Sequence, residues 1–418
     1  MRENNPLRIG LIGFGCVGQG FYNIVEQQPG LNLAITRIAV KTPGKARPLP
    51  AECFTYHADE LLADPDLDLL VEVIDDATEA FRLVSAALRQ GRRVATANKA
   101  MLARHLPELV QLQAEFGGTL LYEAAVCGSI PVVRTLDQYF SHEPLRAVSG
   151  IFNGSSNYVL TRMSEEGSDY AVALAEAQAL GFAETDPSLD MGAFDPRSKA
   201  VILAAHAYGV FLAVDEVLNL GIEGIAAADI AWAAAQGQKI KVVAGLYRLP
   251  GGGLTALVTP QLLGPESALY GVEREFNGVV IEAEFAGTQF LQGRGAGGHP
   301  TGSAVLADVL ALRRGLRYAY AKRPTAPDAQ LTHGLELEAY VRHPDAGVLR
   351  EVLTWLELPP EALHTDAHGS FATGAVPVQQ LWAWRQELRS LGVFVARQGE
   401  VRPVAVPAGA ALATAELV

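Results

Sequence analysis

The chain of 418 residues is 49% hydrophobic and 19% charged, with a formal net charge of -13. This is the composition of an ordinary globular protein long enough for two or three domains with their own cores, and it excludes a disordered chain. No basic stripe interrupts the acidic excess, so a nucleic-acid partner is excluded too, because neutralising phosphates needs clustered Lys and Arg. The polar opening MRENNPLRIG and the lack of any run of eighteen apolar residues predict neither a signal peptide nor a membrane span, which makes the expected location cytoplasmic. Cys16, Cys53 and Cys127 fit no zinc spacing, and a reducing compartment keeps them as thiols.

In chain order, LRIGLIGFGCVGQGFYNIVEQ reads as a short strand, a glycine turn and a helix. Strands are then predicted at LAITRIAV, LDLLVEVI, RRVATA and GTLLYEAAV, with helices TEAFRLVSAALRQG and HLPELVQLQAEFG between the later ones. Alternation at this spacing predicts parallel βαβ units, a Rossmann-type doubly wound α/β domain over residues 1–135. From VVRTLDQYF onward helices mix with strands such as GLTALVTPQLL and GVVIEAEFAG, which predicts an α+β second domain over 136–325. AKRPTAPDAQLTHG reads as a linker to a small α+β segment over 330–418, and PAGAALATAELV as a loose tail.

The first chemical motif is GFGCVG, whose Gly13, Gly15 and Gly18 follow a strand and open a helix. In a dinucleotide-binding turn the first glycine allows the tight bend, the second lets a pyrophosphate approach backbone, and the third lets helix and strand pack closely. Phe14, Cys16 and Val17 complete that turn. After the second strand the chain carries Lys41, with Lys45 and Arg47 nearby, where an NAD-selective site has an acid. Cations there favour the 2′-phosphate of NADP over NAD, or form a solvated basic loop. Lys99 in TANKAML lies just past a buried-looking strand, at the carboxyl edge where ligands of open α/β sheets sit, although a surface lysine also fits the position. Glu123 in YEAAVCGSIPVV ends an apolar strand and either serves a site or caps the following turn.

AETDPSLDMGAFDPRSK concentrates acids ahead of a core-like helix. Asp195 before Pro196 predicts an N-cap, with Lys199 four residues on and within reach of the same helix face. A lysine partly desolvated at a helix start, with carboxylates around it, suits proton transfer. Glu184, Asp186 and Asp190 either hold a cationic group or form a solvated acidic turn.

Together with GLIGFGCVGQG, GIFNGSSNYVLTRM and GRGAGGHPTGSAVLADVL, these segments resemble the homoserine dehydrogenases over residues 7 to 325. The resemblance implies reduction of L-aspartate 4-semialdehyde to L-homoserine with NADP, preferred, or NAD, on the route to threonine, methionine and isoleucine. It makes Lys199 the proton donor to the developing alkoxide, Lys99 its partner across the cleft, and Asp195 an orienting acid. Gly181, Glu184 and Asp190 become substrate-binding positions. Gly295 and Gly297 bring backbone to the nicotinamide half of the cofactor. Glu123 and the backbone oxygens of Val126, Gly128 and Ile130 would hold a sodium ion. The second domain becomes the catalytic and dimerisation domain, its last helix returning to the first, and the assembly a homodimer or higher homo-oligomer.

Two departures stand out: Asp75 and Asp76 replace a glycine pair common in the family, and Gly192 comes one place early, with Ala193 at the family's glycine. The last segment reads as strand, turn and helix over LELEAYVRHPDAGVLREVLTWL, the first half of a βαββαβ unit that is either an ACT-like amino-acid sensor or an assembly appendage. In the sensor reading, the backbone amides of Ala346 and Gly347 at a helix start receive a carboxylate. The rival functions are a non-catalytic dinucleotide sensor, which could dispense with Lys199, and a dehydrogenase of another small amino-acid substrate.

Overall fold

The computed structural model describes residues 5–250, 253–323, 331–366 and 369–403; the tail PAGAALATAELV and linker residues 324–330 lie outside them. The first layer holds strands β1 (Leu7–Ile12), β2 (Leu33–Ala39), β3 (Phe54–Thr55), β4 (Leu69–Glu72), β5 (Arg93–Thr96) and β6 (Thr119–Leu121), with helices α1 (Cys16–Glu26), α2 (Asp59–Ala63), α3 (Ala77–Arg89) and α4 (Lys99–Phe116). Its strands pair in parallel in the order β3-β2-β1-β4-β5-β6. The order reverses between β1 and β4, and a crevice for a ligand opens at the carboxyl ends of such strands.

Two boundaries differ from the sequence reading. Helix α4 starts at Lys99 rather than near His105, because the Asn98 side chain accepts the Met101 amide at 2.9 Å and caps it there. Strand β6 ends at Leu121, where the amide of Glu123 turns away from the sheet to Asp308 at 2.7 Å.

The second region runs α5 (Val132–Arg134), β7 (Leu145–Ile151), α6 (Gly154–Glu166), α7 (Tyr170–Ala179), α8 (Ser188–Met191), α9 (Phe194–Ala207), β8 (Leu218–Asn219), α10 (Ala227–Ala235), β9 (Lys239–Arg248), β10 (Leu254–Leu263), β11 (Phe276–Ala283), β12 (Gly287–Arg294) and α11 (Gly298–Arg313). Helix α11 lies against α1 at glycine-only distance: a Cβ on Gly20 would overlap the Gly298 backbone, and one on Gly302 would meet the amide of Phe21 at 2.5 Å.

The third region is β13 (Leu335–Arg342), α12 (Ala346–Trp355), β14 (Leu363–Asp366), β15 (Gly369–Pro377), α13 (Val378–Ala383), α14 (Arg385–Leu391) and β16 (Phe394–Pro403). The βαββαβ order is present, and its strands run β16-β13-β15-β14, the arrangement of a split βαβ fold. Strand β16 also lies parallel to β10, with Gln261 opposite Arg397, so one mixed sheet runs from β12 through β11, β7, β9 and β10 into the C-terminal unit. Leu218, Leu220, Leu249 and Leu257 share one core with Leu337, Val341, Leu349 and Leu381 across that join. Beneath it the buried Asp229 carboxylate accepts from Arg342 Nε at 2.5 Å and from the Tyr340 hydroxyl at 2.8 Å.

The expected anion position at the start of α12 is corrected. Asp345 caps that helix itself, accepting the amides of Gly347 at 2.6 Å and Val348 at 3.3 Å, so the carboxylate there is the protein's own.

Truncation near residue 328 should therefore damage the fold. Re-exposing four buried leucines at about 1.5–3 kcal/mol each forfeits about 6–12 kcal/mol, comparable to the whole net stability of a domain. Thermal unfolding and size-exclusion chromatography should show a lowered midpoint and aggregation. A monodisperse truncated chain with the parental midpoint would refute the shared core.

Candidate active site

The crevice is built first by backbone. Gly13 adopts φ +102°, and a Cβ there would lie 2.8 Å from the Val73 carbonyl, so only glycine makes the turn that aims α1 at the strand ends. No side chain caps α1, whereas Asp76 caps α3 through the amides of Thr78 and Glu79. Gly15 at the α1 N-cap faces open space. An uncapped N-terminus with room in front of it fits a pyrophosphate. The ring of Phe14 is edge-on to Tyr22 and Phe54, so its backbone rather than its side chain borders that space. Asp76, one of the two acids that replace the family's glycine pair, is engaged as the α3 cap.

Lys41 is exposed in the loop after β2, and Arg47 holds that loop by donating to the carbonyls of Lys45 and Thr42. Beyond the crevice, Gly297 (φ +110°) opens α11, again without a side-chain cap, and Gly298 lies against Cys16 so closely that α1 and α11 begin side by side. Gly295 precedes it, and the neighbouring Arg294 carbonyl accepts the Ser129 amide, which joins this loop to the stretch Val126–Ile130.

Three chain junctions meet at the Asp195 carboxylate. At β5–α4, Lys99 reaches Asp195 Oδ1 at 3.3 Å. At β7–α6, the Phe152 carbonyl accepts from Lys199 Nζ at 2.6 Å, while Asn153 Nδ2 donates to Asp190 Oδ1 at 2.7 Å and to Asp195 Oδ2 at 2.8 Å. At α8–α9, Lys199 Nζ lies 2.7 Å from Asp195 Oδ2, one helical turn away. The side chains of Lys199 and Asp195 are only 9% and 7% exposed, and that of Lys99 is about half exposed at 45%.

Asp195 is not the N-cap of its helix. Helix α9 begins at Phe194 with Ala193 as its cap residue, in the left-handed conformation (φ 60°, ψ 27°). The Asp195 carboxylate is instead engaged by two ammonium groups and an amide. Gly192 keeps an ordinary φ of -79°, so the departure at this pair leaves alanine carrying the strained turn, at a cost of about 1–2 kcal/mol.

The electrostatics follow from this placement. Burial drives the Asp195 carboxyl toward its neutral form, but the Lys199 and then the Lys99 charge outweigh burial and hold it well below the usual carboxylate range. Asp190 is raised, first by burial and then by the Asp195 charge. Lys99 is raised, chiefly by Asp195, with Asp190 and Glu184 adding to the effect. Glu184 is exposed on the loop after α7, and Gly181 forms the left-handed turn that begins that loop.

The loop Glu123–Ile130 lies beside a buried acid pair. Glu123 accepts the amides of Val133 at 2.8 Å and Arg134 at 2.9 Å, and Asp308 binds Arg134 Nη2 at 2.6 Å. Burial and then Asp308 push Glu123 up to about 8, and burial pushes Asp308 up to about 7 despite Arg134. One guanidinium does not neutralise two buried carboxylates, and the oxygen donors of the adjoining loop suit a hard cation. Of the two readings of Glu123, the turn cap is present, through the amides of Val133 and Arg134.

Sequence reasoning missed Asn153, which fastens both Asp190 and Asp195 while its own Oδ1 caps α6 by accepting the Ser156 amide. Its segment GIFNGSSNYVLTRM was visible, but an asparagine before Gly-Ser-Ser reads as a cap alone. Buried Glu72 was missed too. It accepts the Ile74 amide and the Thr96 hydroxyl, and so shapes the loop that delivers Lys99.

Comparison with known proteins agrees with this construction. Residues 13–123 match the NAD-binding domain of homoserine dehydrogenase, and residues 131–310 match the homoserine dehydrogenase domain. The homoserine dehydrogenase of Mycobacterium tuberculosis is 38% identical over 344 residues, 78% of each chain. That of Pseudomonas aeruginosa is 34% identical over 373 residues, 84% of this chain and 85% of its own. A crystal structure of a homoserine dehydrogenase from Thiobacillus denitrificans superposes with TM-score 0.80 at 26% identity, covering 95% of this chain and 99% of that one. A hyperthermophilic archaeal homoserine dehydrogenase in complex with NADPH superposes with TM-score 0.65 at 27% identity, covering 75% and 99%. A nicotinamide-binding parallel sheet docked on a lysine–aspartate cleft, with this identity over three quarters of its length, belongs to the homoserine dehydrogenase family.

Proposed function

We propose that the enzyme interconverts L-aspartate 4-semialdehyde and L-homoserine in the cytoplasm, as a homodimer and with NADP(H) preferred over NAD(H), using Lys199 to hand a proton to the substrate oxygen. The observation that carries the reading is the Lys199 ammonium. It donates to the Phe152 carbonyl and to Asp195, which leaves its third N–H for a substrate oxygen. In reduction this proton meets the developing alkoxide, and in oxidation the neutral amine takes the hydroxyl proton. Asp195 stabilises the ammonium of both lysines, and Lys99 completes the cleft from the other domain. Asp190 and Glu184 accept the substrate ammonium, with the turn at Gly181 presenting that loop. The raised Asp190 supports the assignment, since a bound ammonium supplies the countercharge that burial withholds.

The nicotinamide supplies or accepts the hydride when bound. The amides of Cys16, Val17 and Gly18 beside Gly13, Phe14 and Gly15 hold its pyrophosphate, Gly295 and Gly297 border its nicotinamide half, and Lys41 reads the 2′-phosphate. The NADPH held by the archaeal relative supports that preference. Glu123 and the carbonyls of Val126, Gly128 and Ile130 would hold a sodium ion, which would supply positive charge beside the buried acid pair. The outer strand β12, at the sheet edge with Phe285 exposed beside it, supports assembly through that edge. Residues 1–135, 136–325 and 330–418 act as cofactor, catalytic and C-terminal units.

One absorbance assay at the nicotinamide band tests the set, with homoserine and each oxidised cofactor in turn, in sodium and in choline buffers. NADP should give the higher kcat/KM, Lys41→Ala should erase most of that advantage, and choline should lower the rate. No turnover with homoserine would reject the reaction, equal efficiency with both cofactors the preference, and identical rates in the two buffers the sodium.

Lys199→Ala should lower kcat by about two to four orders of magnitude, the usual worth of a positioned acid or base, while NADPH still binds by fluorescence titration. Near-normal turnover would remove Lys199 from the mechanism. Asp195→Asn deletes the charge that chiefly raises Lys99, so the ammonium should deprotonate at lower pH. The alkaline limb of the residual pH–rate profile should then move downward, and a stationary limb would show that Lys99 does not limit the rate there.

A further inference from the structure

We propose that Arg389, on α14 of the C-terminal unit, is a positioning residue that holds the turn carrying Asp190 and Asp195. The inference rests on reading those two aspartates as the substrate and proton-transfer acids. The turn needs holding, since Ala193 is fully buried in the left-handed conformation between them. Alanine pays a steric penalty there that glycine does not.

The restraint is assembled around the Gly192 carbonyl. It accepts Asn219 Nδ2 at 2.6 Å and Arg389 Nη2 at 3.2 Å. The same Arg389 nitrogen lies 3.4 Å from the Asn219 carbonyl, and Arg389 Nε is 3.3 Å from Glu223 Oε1. The guanidinium stands 4.5 Å from the centre of the Phe194 ring, the first residue of the catalytic helix, and Arg197 is 5.1 Å from the same ring. Arg197 in turn donates to Asn219 Oδ1 at 3.0 Å. Below the turn, the Ile222 amide bonds the Met191 carbonyl at 2.8 Å, and a Cβ on Gly221 would lie 2.6 Å from the Gly192 Cα. One cation from the C-terminal unit thus caps the carbonyl before the strained residue and packs on the ring after it. A planar fork that stacks and donates at once is a task for arginine rather than lysine.

Displacing this turn moves Asp190 and Asp195 away from their shared donor, Asn153, so the loss should fall on substrate binding. Steady-state kinetics on the full-length enzyme test this with Arg389→Ala, Arg389→Lys, Ala193→Gly and the Arg389→Ala/Ala193→Gly double variant. Arg389→Ala should raise the homoserine KM by about ten- to a hundredfold, the range of one lost charged hydrogen bond, with NADP affinity unchanged. Arg389→Lys should fall between it and the parent. Ala193→Gly relaxes the strained conformation, so the double variant should recover most of the lost affinity. A role in stability alone would lower the unfolding midpoint and the active-site concentration while leaving KM where it was.

A parental homoserine KM in Arg389→Ala overturns the proposal, as does a double variant no better than Arg389→Ala. Asp190→Asn, measured in parallel, keeps the two readings apart. If it leaves KM unchanged while Arg389→Ala raises it, the Asp190 assignment fails and the positioning role stands.

Discussion

The cleft depends on one buried anion. A carboxylate at the depth of Asp195 would take up a proton if left alone, because water no longer solvates its charge. It stays ionised because Lys199 lies 2.7 Å away on its own helix, Lys99 lies 3.3 Å away on the other domain, and Asn153 donates from a third junction. Removing a partner from a buried pair typically costs about 3–5 kcal/mol, since the remaining charge is stranded. The arrangement that orders the site therefore also fastens the dinucleotide-binding layer to the mixed sheet. Neither half holds the constellation alone: Lys99 comes from β5–α4, and everything it meets comes from beyond residue 150.

Local spacing carried much of this into the sequence. Strand and helix alternation marked the parallel layer, and GFGCVG matched a turn that Gly13 alone can make. Asp195 and Lys199, four residues apart, are a pair that any helix would bring together. What local spacing could not carry is competition for the same group. Asp195 before Pro196 satisfies the rules for a helix cap, yet tertiary charges claim its oxygens and the helix starts earlier, on a left-handed alanine that local preference disfavours. The reverse happened at Asp345, where a turn read as a ligand site is closed by its own aspartate. Asn153 was hidden for a related reason, because its cap role is visible locally while its grip on two aspartates about forty positions away needs the fold.

The C-terminal unit shows the same limit at larger scale. Its βαββαβ pattern was legible, but its join to the second region through β10 and β16 was not, because a parallel neighbour far along the chain leaves no local trace. That join changes what the unit can be. A detachable sensor meets its partner across a modest, polar boundary, whereas here a leucine core and a buried Asp229–Arg342 pair cross it.

A rigid join of this kind also constrains communication. Helix α14 touches the turn that opens α9, and energetic coupling between two sites is reciprocal. Whatever displaces α14 must loosen the hold on Gly192, and a substrate that tightens the turn must by the same free energy favour the docked position of α14. Regulation through this unit therefore needs no long relay: the path from α14 to Asp195 is one guanidinium, one carbonyl and one strained alanine.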